Sequence, residues 1–185
     1  MVQAALKTER KFTYEDYSKL PEGAPYQLIE GDLVMTPSPS PYHQRVSKRI
    51  EFLIYEFAEV ERGLGEVLDA PIDIHLGDAE VFQPDIIFVS KDRLSIIGDK
   101  NIEGAPDLVV EVLSPSTAYY DLKHKKTVYA ASGVKEYWIV DPIEKSVEVY
   151  ANNSGEFTLD NRAVAGGTAK SRLIEGFTVA LDKIF

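Results

Sequence analysis

Two acidic residues stand where an acid is costly. Asp85 opens an apolar run in "QPDIIFVS", and Glu111 sits inside "APDLVVEVLSPST" among Leu108, Val109, Val110, Val112 and Leu113. An ionised carboxylate in such a strand is expensive unless it is paired. If the two strands are neighbours, the carboxylates converge, and converging buried acids share a proton or bind a cation. A third acid, Glu30, ends a short apolar run just before Gly31. Oxygen donors without thiolates or a histidine cluster favour a hard ion, Mg²⁺ or Mn²⁺. The plainer reading of each acid is a partner for a lysine or a helix N-terminus.

A basic helix follows the strand that carries Glu111. Asp121, Lys125 and Tyr129 are spaced i, i+4, i+8 and form one helical stripe. Either this is an ordinary surface ion pair, or Lys125 projects toward the carboxylates with Asp121 orienting it; spacing alone leaves both open. The stretch from Tyr119 to Lys135 is locally basic, with Lys123, Lys125, Lys126 and Lys135 against Asp121, which also suits a solvated helix face. His43 follows the proline-rich "TPSPSPYHQ". It could cap or pack a helix, contact phosphate, or act as an acid or base. His75 and His124 lack comparable context, and three scattered histidines make no zinc site. Neither a phosphate-cradling glycine loop nor a G-x-S-x-G elbow is present. Tyr129, Tyr137 and Trp138 read as core and sheet aromatics.

The elements that must position these residues can be read from spacing. Thr13 caps a short helix over Tyr14 to Leu20. Tyr26–Glu30 and Leu33–Thr36 flank Gly31-Asp32 as a hairpin. Ser40 and Pro41 open a helix running to about residue 62, with Val46, Ile50, Leu53, Ile54 and Phe57 on one face. "GEVLDAPIDIHL" and "QPDIIFVS" read as strands, "KDRLSII" as a helical turn and "GDKNIEGAP" as a loop. In the strand carrying Glu111, Asp107, Val109, Glu111 and Leu113 share one face, and Leu108, Val110 and Val112 the other. A helix from Ala118 to Ser132, ended by Gly133, leads to the strand "VKEYWIVDP" and an antiparallel partner, "KSVEVYAN". Strand, helix, strand over 107–141 is a crossover with parallel strands. The earlier strands are joined by short turns and should be antiparallel, and the tail reads as short strands and turns. The fold class is α/β (α+β): a mixed sheet flanked by helices.

The chain of 185 residues suits a single domain over 1–185 with a sizeable core. It has no cysteine, which excludes thiolate metal sites and fits a reducing, cytoplasmic setting. The N-terminus, "MVQAALKTERKFTYEDY", lacks the apolar core of a signal peptide, and no stretch approaches a membrane span. A net charge of -10 argues against a protein that coats nucleic acid with a broadly basic surface. It leaves room for an enzyme whose basic residues are local.

Taken together, "YQLIEGDLVMTPSPSPYHQRV", "QPDIIFV", "PDLVVEVLSPST" and "YDLKHKKTVYAASGVKEYWIVDP" resemble, in the right order, the second family named Uma, a group assigned to endonucleases, over roughly residues 12–150. That family is grouped with the restriction-endonuclease-like PD-(D/E)XK superfamily. The resemblance implies a mixed central β-sheet flanked by helices, with additional antiparallel strands. It implies that Pro84-Asp85 is the "PD" element and Glu111 the second acid, both holding Mg²⁺ or Mn²⁺, and that Glu30 is the acid from the N-terminal part. The superfamily lysine belongs two residues after the second acid, where this chain has Leu113; the resemblance moves that role to Lys125, with Lys123 the weaker match. His43 would contact phosphate at the edge. The implied chemistry is phosphodiester hydrolysis in DNA, and a homodimer would suit duplex cleavage. A nuclease-fold binding or regulatory module without catalysis is the alternative, and a structural oligomer with internal ion pairs is a third.

Overall fold

The computed structural model describes residues 11–21, 23–115 and 118–185. Residues 1–10, most of the stretch read above for a leader, lie outside it.

The first elements are short because their signals are local. Helix α1, Tyr14–Tyr17, is closed by a reciprocal cap in which Thr13 accepts from Asp16 N–H and Asp16 accepts from Thr13 N–H. It stops three residues sooner than expected, at Ser18. Strands β1 (Tyr26–Ile29) and β2 (Asp32–Met35) form the hairpin. Its turn pair is Glu30-Gly31, one residue earlier than expected, because both residues take positive φ, 52° and 74°. That is the mirror-type turn matching strand twist. Glycine suits the second place doubly, since a Cβ there would lie 3.1 Å from Lys11 Cβ and from the Phe12 carbonyl.

Helix α2, Pro41–Ile54, begins at Ser40, whose side chain accepts from His43 N–H. It runs into a π-wound turn, Tyr55–Glu61. "GEVLDAPIDIHL" is not one strand. It divides at Ala70-Pro71 into β3 (Gly65–Asp69) and β4 (Asp73–Gly77), which enter different sheets. Strand β5, Glu80–Phe82, follows. Strand β6, Ile86–Ser90, runs into a 3-10 turn, Lys91–Ile96. The segment read as a loop contains strand β7, Asn101–Glu103, which pairs in parallel with β4.

Strand β8, Leu108–Val112, carries Glu111. The crossover starts with a π-wound turn, Tyr120–Lys125, and continues as helix α3, Lys126–Ser132, ended by Gly133 at φ 98°. Strand β9, Glu136–Asp141, then lies parallel to β8. Strands β10 (Ser146–Asn153), β11 (Glu156–Ala163), β12 (Thr168–Lys170) and β13 (Thr178–Ala180) complete the chain.

The strands form a six-stranded sheet ordered β11-β10-β9-β8-β6-β3, a five-stranded sheet ordered β2-β1-β5-β4-β7, and the β12-β13 ribbon. Alternation along β8 decides what each face meets. Leu108, Val110 and Val112 pack with Val46, Ile50 and Ile54 of α2 and with the C-terminal ribbon. Val109 packs on the other side with Phe82 and Ile74 of the five-stranded sheet and Tyr129 of α3. Glu111 belongs to this second face, under the crossover. The architecture is the mixed α+β sheet flanked by helices.

Candidate active site

Strand register brings the two acids together. Strand β6 pairs antiparallel with β8 through Ile86–Val110, Ile87–Val109 and Phe88–Leu108. Continued by one residue, that register sets Asp85 opposite Glu111, and directly opposed residues of an antiparallel pair share a face. Asp85 is held at the end of the strand by the Val112 N–H, which donates to Oδ2 at 2.7 Å. His43 arrives from α2. Its Nε2 lies 2.8 Å from the Val112 carbonyl and 3.5 Å from Asp85 Oδ2. The backbone of one β8 residue, Val112, thus fixes both side chains.

Glu111 is buried, and two side chains of the crossover meet its Oε1. Lys125 Nζ and the Tyr129 hydroxyl each donate to it at 2.9 Å. Lys125 is equally close, 2.9 Å, to Asp121 Oδ1 one helical turn back. Tyr137 on β9 ties the same segment down by donating to the Asp121 carbonyl at 3.0 Å. The stripe Asp121, Lys125, Tyr129 therefore faces inward, and all three side chains are buried. Lys123 is exposed, its ammonium 5.2 Å from the Tyr119 ring centroid. Of the two lysines, Lys125 is the one against Glu111.

The cluster has more negative than positive charge. Burial pushes the Glu111 carboxyl well up; Lys125 opposes this, while Asp121 and Asp85 reinforce it. Lys125 is depressed by burial, but Asp121 and Glu111 outweigh that and hold its proton firmly. When an acid and its basic partner both shift upward, the pair sits in a field that favours one more positive charge. That charge is a proton on Glu111 or a bound cation. His43 follows the same field: burial depresses it, yet Asp85, the Val112 carbonyl and Glu111 raise it overall. Among the described residues its Nδ1 is buried without a hydrogen-bond partner.

A divalent ion fits the donor chemistry. Among the described residues Glu111 accepts its hydrogen bonds at Oε1 and Asp85 at Oδ2, and no donor occupies Glu111 Oε2 or Asp85 Oδ1. Among the described residues no group of three or more His, Cys, Asp or Glu is gathered into a closed cage. Two carboxylates suit Mg²⁺, which keeps several waters and leans on substrate phosphate; they do not suit a closed tetrahedral zinc site.

Glu30 lies apart from Asp85 and Glu111 in its contacts. Its side chain is 67% exposed, and its carboxylate stands 3.5 Å from His124 Nδ1. The other ring nitrogen of His124 lies 3.0 Å from Glu80. Glu30 and His124 also line a groove of about 670 Å³ along the outer side of the crossover. Two contributors to the site escaped the sequence reading. Tyr129 lay in the right stripe but read as a core aromatic, and the Val112 peptide group carries no side-chain signal.

The chain matches the model of the Uma2 family, described as "Putative restriction endonuclease", over residues 14–182. Among solved structures it is similar to a putative nuclease of DUF820 from Anabaena variabilis, at 21% identity and a TM-score of 0.77, covering 94% of this chain and 97% of that one. At that identity the likeness speaks for the fold. No curated protein matches. With a family match running through nearly all of the described residues, the chain belongs to the Uma2 family.

Proposed function

We propose that the protein is a metal-dependent endonuclease that hydrolyses phosphodiester bonds in DNA, with Asp85 and Glu111 as the carboxylates that hold Mg²⁺ or Mn²⁺. The observation that carries this reading is the buried Lys125–Glu111 contact at 2.9 Å beside the Asp85–Val112 anchor. It supplies two acids and a lysine in one place although Leu113 occupies the usual lysine position. When bound, the ion would supply Lewis-acid polarisation of the scissile phosphate.

The chain's own residues have distinct tasks in this reading. Val112 N–H and His43 fix the rotamer of Asp85, and Tyr129 fixes that of Glu111. Lys125, oriented by Asp121, places a permanent positive charge where negative charge develops on the phosphoryl oxygens. His43 stands next to Asp85 with a raised proton affinity, suited to phosphate contact or to passing a proton at the edge of the site. Glu30, on its exposed turn, would act on the substrate's approach rather than on the ion. Two copies would allow both strands of a duplex to be cut in one encounter.

The test is incubation of the purified protein with plasmid, linear duplex and single-stranded DNA, and with RNA, in Mg²⁺, Mn²⁺ or EDTA. Cleavage of DNA with either metal and none in EDTA is expected. Cleavage that continues in EDTA, or no cleavage of any substrate together with no Mg²⁺ binding by calorimetry, rules the proposal out in favour of a non-catalytic module.

A further inference from the structure

The crossover has a second chemical face. Lys125 and Tyr129 point in to Glu111, while the same turns present Tyr119, Tyr120, Lys123 and Lys126 to the groove of about 670 Å³, with Phe157 of β11 on its opposite wall. Tyr119 is 67% exposed, the most exposed aromatic ring among the described residues. Tyr120 meets it edge-on at 5.8 Å between centroids, which fixes the ring's orientation. Lys123 Nζ lies 5.2 Å from the Tyr119 centroid, and Lys126 Nζ lies 3.3 Å from that of Tyr150. Phe157 is itself stacked on Tyr137, 5.5 Å between centroids. Two carboxylates also line the groove, Glu30, which stands against His124, and Glu156 beside Gly155.

We propose that this groove binds an unpaired stretch of nucleic acid, with a base stacked on Tyr119 and the flanking phosphates on Lys123 and Lys126. This rests on, and deepens, the nuclease reading: it makes a strand with splayed or single-stranded bases the preferred substrate over intact duplex. An exposed ring with an ammonium group over one face, and a second lysine lining the same groove, suits a single strand, because each base offers a π-face and each phosphate a charge. It also reconciles a net charge of -10 with a nucleic-acid substrate, since the attraction is local. A small apolar ligand would not need the lysines, and an acidic peptide would not need the open ring.

The test uses the full chain in EDTA and the fluorescence anisotropy of labelled oligothymidine, the same backbone with abasic sites, and a blunt duplex. Tyr119→Ala should weaken oligothymidine binding roughly tenfold or more. It should leave binding of the abasic strand nearly unchanged. Lys123→Ala should lower the slope of log affinity against log salt by about 0.7. Both residues are exposed, so the variants should fold, which circular dichroism will check. Wild-type binding to Tyr119→Ala and Lys123→Ala, or duplex bound as tightly as oligothymidine, overturns the proposal. The nuclease reading fails separately: Asp85→Asn should bind oligothymidine normally, and if it still cuts in Mg²⁺ the catalytic assignment is wrong while the groove stands.

Discussion

Lys125 Nζ lies 2.9 Å from Glu111 Oε1, with both side chains buried and the two residues on successive elements of one strand–helix crossover. The lysine that meets Glu111 reaches it from the helical turn after the strand and not from position 113. Position 113, just past β8, is leucine and packs with the apolar face under the crossover.

Removing Lys125 should harm folding as well as chemistry. Lys125→Met leaves Glu111 and Asp121 buried without their shared cation, and breaking one side of such a pair typically costs about 3–5 kcal/mol. The double variant Lys125→Met, Glu111→Gln should recover part of that loss, because it removes one of the two uncompensated charges. Urea unfolding of the three proteins checks this; a Lys125→Met cost well under about 1 kcal/mol would show that the contact is an ordinary exposed pair.

Tyr129→Phe removes the second donor to Glu111 Oε1 and keeps the ring packed against Phe82, 5.4 Å away between centroids. The expected cost in stability is about 1–2 kcal/mol, and cleavage should slow because Glu111 loses its fixed rotamer. A variant as fast and as stable as wild type would remove Tyr129 from the site.

His43 should titrate above its ordinary value. Burial depresses it, but Asp85, the Val112 carbonyl and Glu111 together raise it. Because the folded value is the higher one, the stability from charged His43 is fully present below about pH 6.5 and is lost as pH rises through the raised value. Proton NMR of the imidazole in metal-free protein should show the upward shift, and Asp85→Asn should reduce it. A His43 that titrates below 6.5 contradicts the Asp85 contact.

Asp107 gives the opposite sign. Burial pushes its carboxyl up, but Lys135, the Ser90 N–H and hydroxyl, and Arg93 lower it to about 2 from 3.8. The lowered value stabilises the fold by about 2 kcal/mol above pH 4, and this is lost as pH falls toward 2. The gap in stability between wild type and Asp107→Asn should shrink across that window; a gap independent of pH below 4 would contradict it.

How much was legible in the sequence depends on the range of the signal. The caps at Thr13 and Ser40, the amphipathic helix behind Pro41 and the glycine stop at Gly133 are local chemistry, and each appears where its residues indicate. The alternation along 107–113 also told which face Glu111 shares. What failed were features set by pairing at a distance. The segment around Ala70-Pro71 reads as one strand because nothing local shows that its halves join different sheets. The three residues of β7 pair in parallel with β4 and carry no pattern of their own. The hairpin turn fell one residue early because Glu30 accepts a positive φ that composition assigns to asparagine or glycine. In the site, the i, i+4, i+8 stripe gathered Asp121, Lys125 and Tyr129, but only the packed structure decides that the stripe points in. The contact of His43 with the Val112 carbonyl spans 69 residues and has no sequence signature.

In the proposed mechanism Asp85 and Glu111 act together on a phosphodiester. Single-turnover cleavage of a DNA strand in Mg²⁺ by wild type, Asp85→Asn and Glu111→Gln tests it most directly, with folding of each variant checked by thermal unfolding. Either substitution alone should lower cleavage by roughly a thousandfold or more, and the double variant should be no worse than the singles, because residues that act as a unit are not additive. Folded variants that both cut within a few-fold of wild type would contradict it.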